Sequence, residues 1–449
     1  MKNYLLLIFL FCSLVSSAQY INRYAGSESV GYNGENIPAL SAYLNLPIGL
    51  AVDKIGNLYI ADSRNNRIRK VDTFGIITTI AGTGVVGLSG DGGLAIDAKM
   101  DYPSAIYVDT NMEIYFSEGN RIRKIDNNGI ISTFAGTTMG YSGDGGPATL
   151  AALFGPMDIT FDHLGNLYIA DVGNSVVRMV DKSGLIYTVA GNGIFGHSGN
   201  GGPATNAKIA PYNLVIDKYN NLYVSEEFNH RIRKIDTSGV ISDFAGSGPI
   251  DTGAFGGDAG PATNARLDFP GGMDFDNFGN LYFVDQYNHR IRKIDTNGMI
   301  NTFAGSGPVG IGAGGSGGDR GLAISAGFDH PCNLKVKDST IFVIDYGVNV
   351  IRRIDNSLWV PSYLPYLVPS ISDSISIYPN PITSSRILHI DQPNHNGKYV
   401  FYSTTGVIMQ SGTTPTDHNL KIELPPGNYV LKLTNAITGN PELKIITVL

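Results

Sequence analysis

The side chains best suited to bind a ligand lie in six short segments that each open on a proline. These prolines are Pro47, Pro103, Pro156, Pro211, Pro270 and Pro331. Two residues after the proline (+2) stand Gly49, Ala105, Asp158, Asn213, Gly272 and Asn333, and at +4 stand Ala51, Tyr107, Thr160, Val215, Asp274 and Lys335. The oxygens of Asp158, Asn213 and Asn333 are of the kind that calcium takes as ligands. With their neighbours at +1 and the two charged residues at +4 they give eight candidate binding residues: Met157, Asp158, Tyr212, Asn213, Asp274, Cys332, Asn333 and Lys335.

The other positions of these segments are apolar. At +3 stand Leu50, Ile106, Ile159, Leu214, Met273 and Leu334, and at +5 stand Val52, Val108, Phe161, Ile216, Phe275 and Val336. Alternation with a period of two predicts a strand with one packed face and one polar face. The candidate residues at +2 and +4 are therefore expected on the face that points away from the core.

Several other motifs do not support an enzyme. Gly82–Gly87 and Gly191–Gly196 match G-x-G-x-x-G, but no helical pattern follows to receive a pyrophosphate. Asp126–Gly129 and similar turns lack the twelfth, acidic ligand of a calcium loop. The histidines show no zinc spacing, and no serine lies in a Gly-x-Ser-x-Gly elbow. His230 and His289 occupy equivalent positions, which favours a structural role.

A basic segment follows each candidate strand and holds 15 of the 32 cations of the chain. An acidic residue precedes each basic segment: Asp62, Glu118, Asp171, Glu226, Asp285 and Asp345. Nucleic-acid binding would need the cations on one face. Because the repeat spreads them evenly, local ion pairing between neighbouring strands is expected instead.

All these positions belong to one unit of 53–60 residues that occurs six times. Its clearest copies are Gly56–Asp62, Gly165–Asp171 and Gly279–Asp285. Each unit contains four strand-like runs, a to d, such as Pro47–Asp53, Leu58–Ala61, Arg67–Asp72 and Ile76–Gly82. Four-stranded units of this length predict an all-β, six-bladed β-propeller over residues 19–356.

The sixth unit lacks its strand d, because no such run follows Asp355. Ile21–Gly26 near the N-terminus reads as a strand d. We therefore expect the N-terminal strand to complete the last blade and to remove an open sheet edge.

The unit resembles the NHL repeat, with Asp-x-x-Gly-Asn-Leu-Tyr-Ile-Ala-Asp followed by Asn-x-Arg-Ile-Arg-Lys. The resemblance runs from about Tyr20 to Asp355. Blade 3 departs from it at Val176–Val180, which replaces the basic strand, and the copies at 112–118, 220–226 and 340–345 are degenerate. It implies a six-bladed propeller. NHL propellers act mostly as interaction platforms, although some propellers of related shape are lyases or metal-dependent lactonases.

The N-terminus reads as a secretory signal over residues 1–18. Lys2 is followed by an apolar run too short for a membrane anchor, and small residues precede Gln19. Removal of this signal would also remove Cys12 and leave Cys332 as the single cysteine, so no internal disulfide is expected.

The C-terminus differs in character from the repeats. Residues 357–371 form a proline-rich linker, and residues 372–449 show strand-like runs that predict a small β-sandwich. This segment resembles the C-terminal sorting domain of the type IX secretion system of Bacteroidota. The matching features are Tyr378-Pro-Asn-Pro381, Tyr402-x-x-x-Gly406, Leu424-x-x-Gly427-x-Tyr429 and a Lys-led terminal strand. The resemblance implies an export tag recognised by the secretion machinery.

The function predicted is a binding or interaction module, secreted or displayed on the outer cell surface after passage through the periplasm. Its expected partner is an extracellular protein, peptide or glycan, bound by a monomer. The net charge of −7 argues against nucleic acid. No cofactor is expected. The alternatives are a lactonase- or lyase-like enzyme with a channel metal such as calcium, held by Asp158, Asn213 and Asn333, and a purely structural matrix protein.

The binding site is predicted on the face that carries the d-to-a loops, towards blades 3 to 6. There the +2 residues are polar in blades 3, 4 and 6. The loops at 247–269 and 306–330 are also the longest, with 23 and 25 residues. Ligand sites favour such a concave mouth with convergent polar groups.

Overall fold

The computed structural model describes residues 19–248, 255–308 and 314–356, and beyond residue 356 it describes strands only. The chain divides into two compact units, Met1–Asn356 and Ser357–Leu449. The predicted signal (1–18) and linker (357–371) lie outside the described residues. No helix among the described residues has the length and apolarity needed to cross a membrane.

The first unit is a six-bladed β-propeller, as predicted. Strand a is innermost in every blade, and strands b, c and d follow outwards in antiparallel order. Strands a to d of blades 1 to 3 are Pro47–Val52, Leu58–Asp62, Arg67–Val71 and Ile76–Ala81; Ile106–Val108, Ile114–Glu118, Arg121–Ile125 and Ile131–Ala135; Pro156–Phe161, Leu167–Asp171, Val176–Val180 and Ile186–Ala190. Those of blades 4 and 5 are Asn213–Ile216, Leu222–Glu226, Arg231–Ile235 and Ile241–Ala245; Pro270–Phe275, Leu281–Asp285, Arg290–Ile294 and Met299–Ala304.

Blade 6 is completed by the N-terminal strand, which confirms the predicted ring closure. Its strands a to c are Pro331–Lys337, Thr340–Asp345 and Val350–Asp355. The strand Tyr20–Ala25 pairs antiparallel with Val350–Asp355, with Ile21 opposite Ile354. The side chain of Ile21 is fully buried, so the closing strand belongs to the core as well as to the sheet.

Short 3₁₀ helices mark the connections on one face of the ring. In the d-to-a loops they are Ala39–Ser41, Ala95–Asp97, Ala148–Leu150, Ala204–Asn206, Ala262–Asn264 and Ala323–Ser325. Between strands b and c they are Ser63–Asn65, Val172–Asn174, Glu227–Asn229, Gln286–Asn288 and Tyr346–Val348. Because strand b ends and strand a begins at the same edge, both sets lie on the face that we call the loop face.

Each d-to-a loop covers the outer edge of the blade that it enters. Ile37–Pro38, Gly260–Pro261 and Gly321–Leu322 add a short fifth strand to blades 1, 5 and 6. Single bridges at Leu94, Pro147 and Pro203 do the same in blades 2, 3 and 4. An edge strand that is already paired cannot recruit another chain.

The core is divided among the six interfaces between neighbouring blades. One cluster, for example, joins Tyr59 and Ile68 of blade 1 to Ile106 and Phe116 of blade 2. The apolar +3 residues of strand a are buried in all six blades, as the alternation predicted. Burial at the interfaces rather than within one blade makes the ring the unit of stability.

The second unit contains two sheets. One orders its strands as Ser376–Tyr378, Ile387–Asp391 and Asn419–Lys421. The other orders them as Ile408–Thr413, Lys398–Ser403, Gly427–Thr434 and Pro441–Val448. The packing of the two sheets, and with it the predicted sandwich, lies outside the described residues.

Candidate functional site

The most regular polar feature is a buried arginine at the centre of strand c in every blade. The six are Arg69, Arg123, Arg178, Arg233, Arg292 and Arg352, and each has at most 2% of its surface exposed. A buried guanidinium must be paired and hydrogen-bonded to be tolerated. In each blade its partners come from two sides, the end of strand b and the d-to-a loop. We call each such group an arginine hub.

Blade 5 shows the geometry of a hub. Arg292 Nη1 lies 3.0 Å from Asp285 Oδ2, at the end of strand b. Its Nη2 lies 2.6 Å from Asp258 Oδ1 in the loop and donates to the Gly256 carbonyl at 3.3 Å. The loop is thus fastened to the blade by a charged, forked contact.

The hubs confirm that the acid at the end of strand b pairs locally with strand c. The second partner was missed by the sequence analysis, which treated the Gly-rich loops as connections only. It is Glu35, Asp91, Asp144, Asn200, Asp258 or Asp319, and it lies 32–34 positions before its arginine in blades 2 to 6. Even the degenerate blade 3 keeps its hub, because Arg178 is retained.

The candidate carboxylates of the channel connect neighbouring inner strands. Asp158 Oδ2 accepts the backbone N–H of Leu214 at 2.8 Å, from blade 3 to blade 4. Asp274 Oδ2 accepts that of Val336 at 2.9 Å, from blade 5 to blade 6. Burial raises the pKa of both carboxyls, and the positive charge of Lys335 opposes that rise at each. Lys335 is therefore the counter-ion that the two carboxylates share.

Of the three residues proposed as metal ligands, the structure joins two. Asn213 hydrogen-bonds the Asp158 carboxyl, and its own Oδ1 is buried without a hydrogen-bond partner among the described residues. Asn333 turns towards blade 1 instead, where its Nδ2 donates to the Ile48 carbonyl at 3.0 Å. The three side chains are nine-tenths or more buried.

The +1 residues Met157, Tyr212 and Cys332 lie at the start of strand a on the loop face, and each is partly exposed. Burial, and next the charge of Glu227, raises the pKa of Tyr212 and of the Cys332 thiol. Tyr212 and Cys332 thus share one surrounding, which we call the channel mouth of blades 4 to 6.

The two equivalent histidines act as ties between blades. His230 Nδ1 accepts the backbone N–H of Phe269 at 3.4 Å, and His289 Nδ1 accepts that of His330 at 3.2 Å. Asn349 makes the same contact to Leu46 at 2.7 Å. The histidines thus replace the asparagines Asn66, Asn120 and Asn349, which join blades 1, 2 and 6 to the next blade, and this supports their predicted structural role.

One cluster has the residue types of a metal site. Single donor atoms of His289, Asp329 and His330 lie within 4.8 Å of one another. However, His330 Nδ1 lies 2.6 Å from Asp329 Oδ1, while His289 Nδ1 is engaged by the backbone as described. A neutral imidazole has one acceptor nitrogen, so His289 would have to give up that tie to coordinate a metal.

The least expected residue at the channel mouth is Glu227, the first residue of the 3₁₀ helix Glu227–Asn229. It is 5% exposed, and no described residue donates a hydrogen bond to its carboxyl or pairs with it. Burial alone raises its pKa well above the ordinary value. The sequence analysis singled out Glu226, which pairs with Arg233 in the hub, and passed over its neighbour.

An arc of aromatic rings runs round the loop face beside Glu227. It comprises Phe195, Phe228, Phe269, Tyr287 and His330, with successive ring centroids 6.0, 5.1, 4.4 and 5.7 Å apart. Phe195 and Phe228 are more than half exposed. On the opposite face Phe74, Tyr219 and Phe278 are exposed at turn tips, and none contacts another described aromatic ring. The aromatic arc is therefore a continuous apolar surface at one sector of the mouth.

Comparison with known proteins supports the repeat assignment. Among curated proteins, Teneurin-1 of Gallus gallus is 31% identical over 287 residues, which cover 55% of this chain and 10% of that protein. NHL repeat-containing protein 2 of Gallus gallus is 24% identical over 369 residues, covering 79% and 45%. The chain thus spans about a tenth of the length of the teneurin that it matches.

A solved structure shares the fold. An auxiliary nutrient binding protein from Bacteroides thetaiotaomicron superimposes with a TM-score of 0.52 at 16% identity, over 75% of this chain and 76% of that one. The family model of the teneurin NHL domain matches residues 28–89, 84–142 and 247–357, together half of the chain. With its six arginine hubs and closed ring, the chain belongs to the teneurin NHL domain family.

Proposed function

We propose that this propeller is a binding module that holds its ligand at the channel mouth of blades 4 to 6. The observation that carries the proposal is the aromatic arc, which is continuous and exposed at Phe195 and Phe228. Exposed apolar surface rimmed by polar groups is typical of interaction sites, and aromatic residues dominate their binding energy. The inner polar residues support it less directly, because inter-blade contacts already use Asp158, Asp274 and Asn333.

The experiment screens the full chain against glycan and peptide arrays and then measures affinity for the strongest hit. The double variant Phe195→Ser and Phe228→Ser is expected to weaken binding at least tenfold, because it interrupts the aromatic arc. Phe278→Ser, on the opposite face, is the matched control and should leave affinity unchanged. If only Phe278→Ser weakens binding, the ligand binds on the face opposite the loop face, and the proposal is wrong.

We also propose that the module is secreted through the type IX system. The support is the sorting-domain resemblance of residues 372–449 and the signal-like residues 1–18. A chain that ends at residue 357 is expected to fold but to remain in the periplasm of a native host. Its efficient appearance in the medium would contradict this route.

A further inference from the structure

Glu227 has no counterpart in the other blades. The first residue of the corresponding 3₁₀ helix is Ser63, Val172, Gln286 or Tyr346 in blades 1, 3, 5 and 6. Because a repeat preserves what its fold needs, a carboxylate found in one blade is not part of the common frame. Its presence calls for an explanation that is specific to blade 4.

The surroundings of Glu227 contain acids but no cation among the described residues. Its Oε1 lies 3.6 Å from the point where a Cβ on Gly271 would stand. That glycine is required, because such a Cβ would also meet the Cys332 carbonyl oxygen at 2.7 Å. The titratable groups that face Glu227 from strand a of blade 4, the b–c turn of blade 5 and strand a of blade 6 are Tyr212, Tyr287 and Cys332.

The neighbouring Glu226 shows which partners a buried carboxylate has in an arginine hub. Its Oε1 lies 3.8 Å from Arg233 Nη1, and its Oε2 accepts Asn229 Nδ2 at 2.9 Å. Glu226 and Glu227 are both at least 95% buried, but only Glu226 has an ion-pair partner and a hydrogen bond from a side chain, although its Oε1 accepts no hydrogen bond. A buried carboxylate without a partner is costly, so the folded protein retains a strong demand for a positive group at this place.

We infer that Glu227, flanked by Tyr212 and Tyr287, binds an organic ammonium group carried by the ligand. This inference rests on the proposed function and names the chemical class that the channel mouth accepts. An ammonium supplies both the charge and the N–H donors that the carboxyl lacks. The hydroxyl oxygens of Tyr212 and Tyr287, which lie within reach of the charge of Glu227, can accept further N–H groups of the ammonium. A metal ion is a poorer fit, because phenols and a thiol of raised pKa are weak ligands in their neutral forms.

Binding of an ammonium at Glu227 is coupled to loss of a proton. Burial favours the protonated carboxyl in the free protein, whereas a bound cation favours the carboxylate. The proton therefore leaves to solvent as the cation enters, and no covalent bond changes. The affinity for a cation rises with pH, by up to about tenfold per unit, as long as the pH lies below the pKa of the free carboxyl.

The test uses two probes that differ only in the charged group. Nα-acetyl-lysine methylamide carries the ammonium, and Nα-acetyl-norleucine methylamide is its shorter neutral analogue. Calorimetric titration of the full chain at pH 6, 7 and 8 is expected to show at least a tenfold preference for the lysine probe. Runs in buffers of different ionisation enthalpy should show up to one proton released per bound probe.

Glu227→Gln should remove the preference and the proton release while the protein still melts cooperatively. Glu28→Gln is the control, since Glu28 is an exposed acid in the d-to-a loop that enters blade 1, and it pairs with Arg23. Equal affinity of the wild-type protein for both probes, or a preference that survives in Glu227→Gln, would overturn the inference. The wild-type titration decides by itself if the variant fails to fold. An array ligand that depends on Phe195 and Phe228 but shows no preference for cations would leave the binding function standing alone.

Discussion

In the arginine hubs every buried charge meets partners from two directions, whereas at the channel mouth Glu227 meets none among the described residues. The hubs recur in all six blades and fasten each loop to its sheet. The channel mouth is confined to blades 4 to 6. Its Glu227 is not repeated at the same position of blades 1, 3, 5 and 6. The paired charges of the hubs hold each loop against its blade, and the unpaired carboxyl of Glu227 is the reason for the binding proposal made above.

The largest effect should come from deleting the N-terminal strand that completes blade 6 and closes the ring. Deleting residues 19–26 removes strand d of blade 6 together with the buried Ile21 and Ala25 side chains. We expect a fall in Tm on the order of 10 °C or aggregation through the exposed edge. A chain beginning at Gln19 is the control, and thermal melting with size-exclusion chromatography is the measurement. An unchanged Tm in a monomeric deletion variant would show that closure contributes little.

The next effect concerns a single hub. Arg123→Met leaves the fully buried Glu118 without its charged partner and should cost about 3–5 kcal/mol of unfolding free energy. Arg121→Met is the matched control, because Arg121 lies two residues away, is partly exposed and donates to the Thr137 carbonyl only, at 3.3 Å. Denaturant unfolding of both variants makes the comparison. Equal costs would mean that burial of the guanidinium is not what matters.

Removing the charge of Glu227 at the channel mouth should raise the free energy of unfolding, whereas removing the charge of a hub arginine lowers it. The folded-state pKa of Glu227 is raised above its unfolded value, so the folded protein binds more protons and loses stability as the pH rises above about 4.5. Glu227→Gln removes that loss and should stabilise the protein at pH 8, with little change near pH 4. Glu226→Gln should stabilise it less, because Asn229 and Arg233 partly offset the burial that raises the pKa of Glu226 to about 7. Unfolding curves at both pH values would show the contrast, and destabilisation by both changes would erase it.

The smallest effect should come from His230, whose hydrogen bond to the Phe269 backbone joins blade 4 to blade 5. Burial lowers the folded-state pKa of His230 below 6.5, so its contribution to stability is present above that pH and is lost as the pH falls through it. His230→Asn, the residue used by blades 1 and 6, should change stability by less than about 1 kcal/mol at pH 7.5. It should also reduce the loss of stability between pH 7 and 5. His163→Asn on the opposite face is the control, and an identical acid response in all three proteins would contradict the role of the tie.

The sequence predicted the blade number and the closing strand, because both follow from counting the repeated strand-like runs. Strand a begins at its predicted proline in blades 1, 3, 5 and 6, but at Ile106 and Asn213 in blades 2 and 4. It also predicted one half of each hub, since Asp285 and Arg292 lie seven positions apart on adjacent strands. The other half escaped notice because Asp258 precedes Arg292 by 34 positions, although the regular offset between blades was a usable signal. The inner polar rows were predicted as a ligand surface. How Asp158 and Asp274 reach the next strand depends on the spacing between blades, which a single-chain pattern does not contain. Glu227 could have been found by aligning the b–c turns rather than the strands.

The hub residue divides each d-to-a loop into two parts. The part after it has a nearly constant length, and the part before it varies in length. From the hub residue to the proline at or just before the start of strand a there are twelve positions in five blades and eleven in blade 4. From the glycine that ends strand d to the hub residue the count ranges from eight, Gly136 to Asp144, to fourteen, Gly305 to Asp319. Every extra residue of the two long loops falls before the hub.

A change in loop length before the hub residue should therefore leave the ring unchanged, because the hub residue binds the chain to the blade before strand a begins. Each blade offers an insertion point ahead of its hub residue, and blades 5 and 6 already use theirs. Residues placed before Asp91 or Asp144 would lengthen the loops of blades 2 and 3 without changing the distance from the hub residue to strand a.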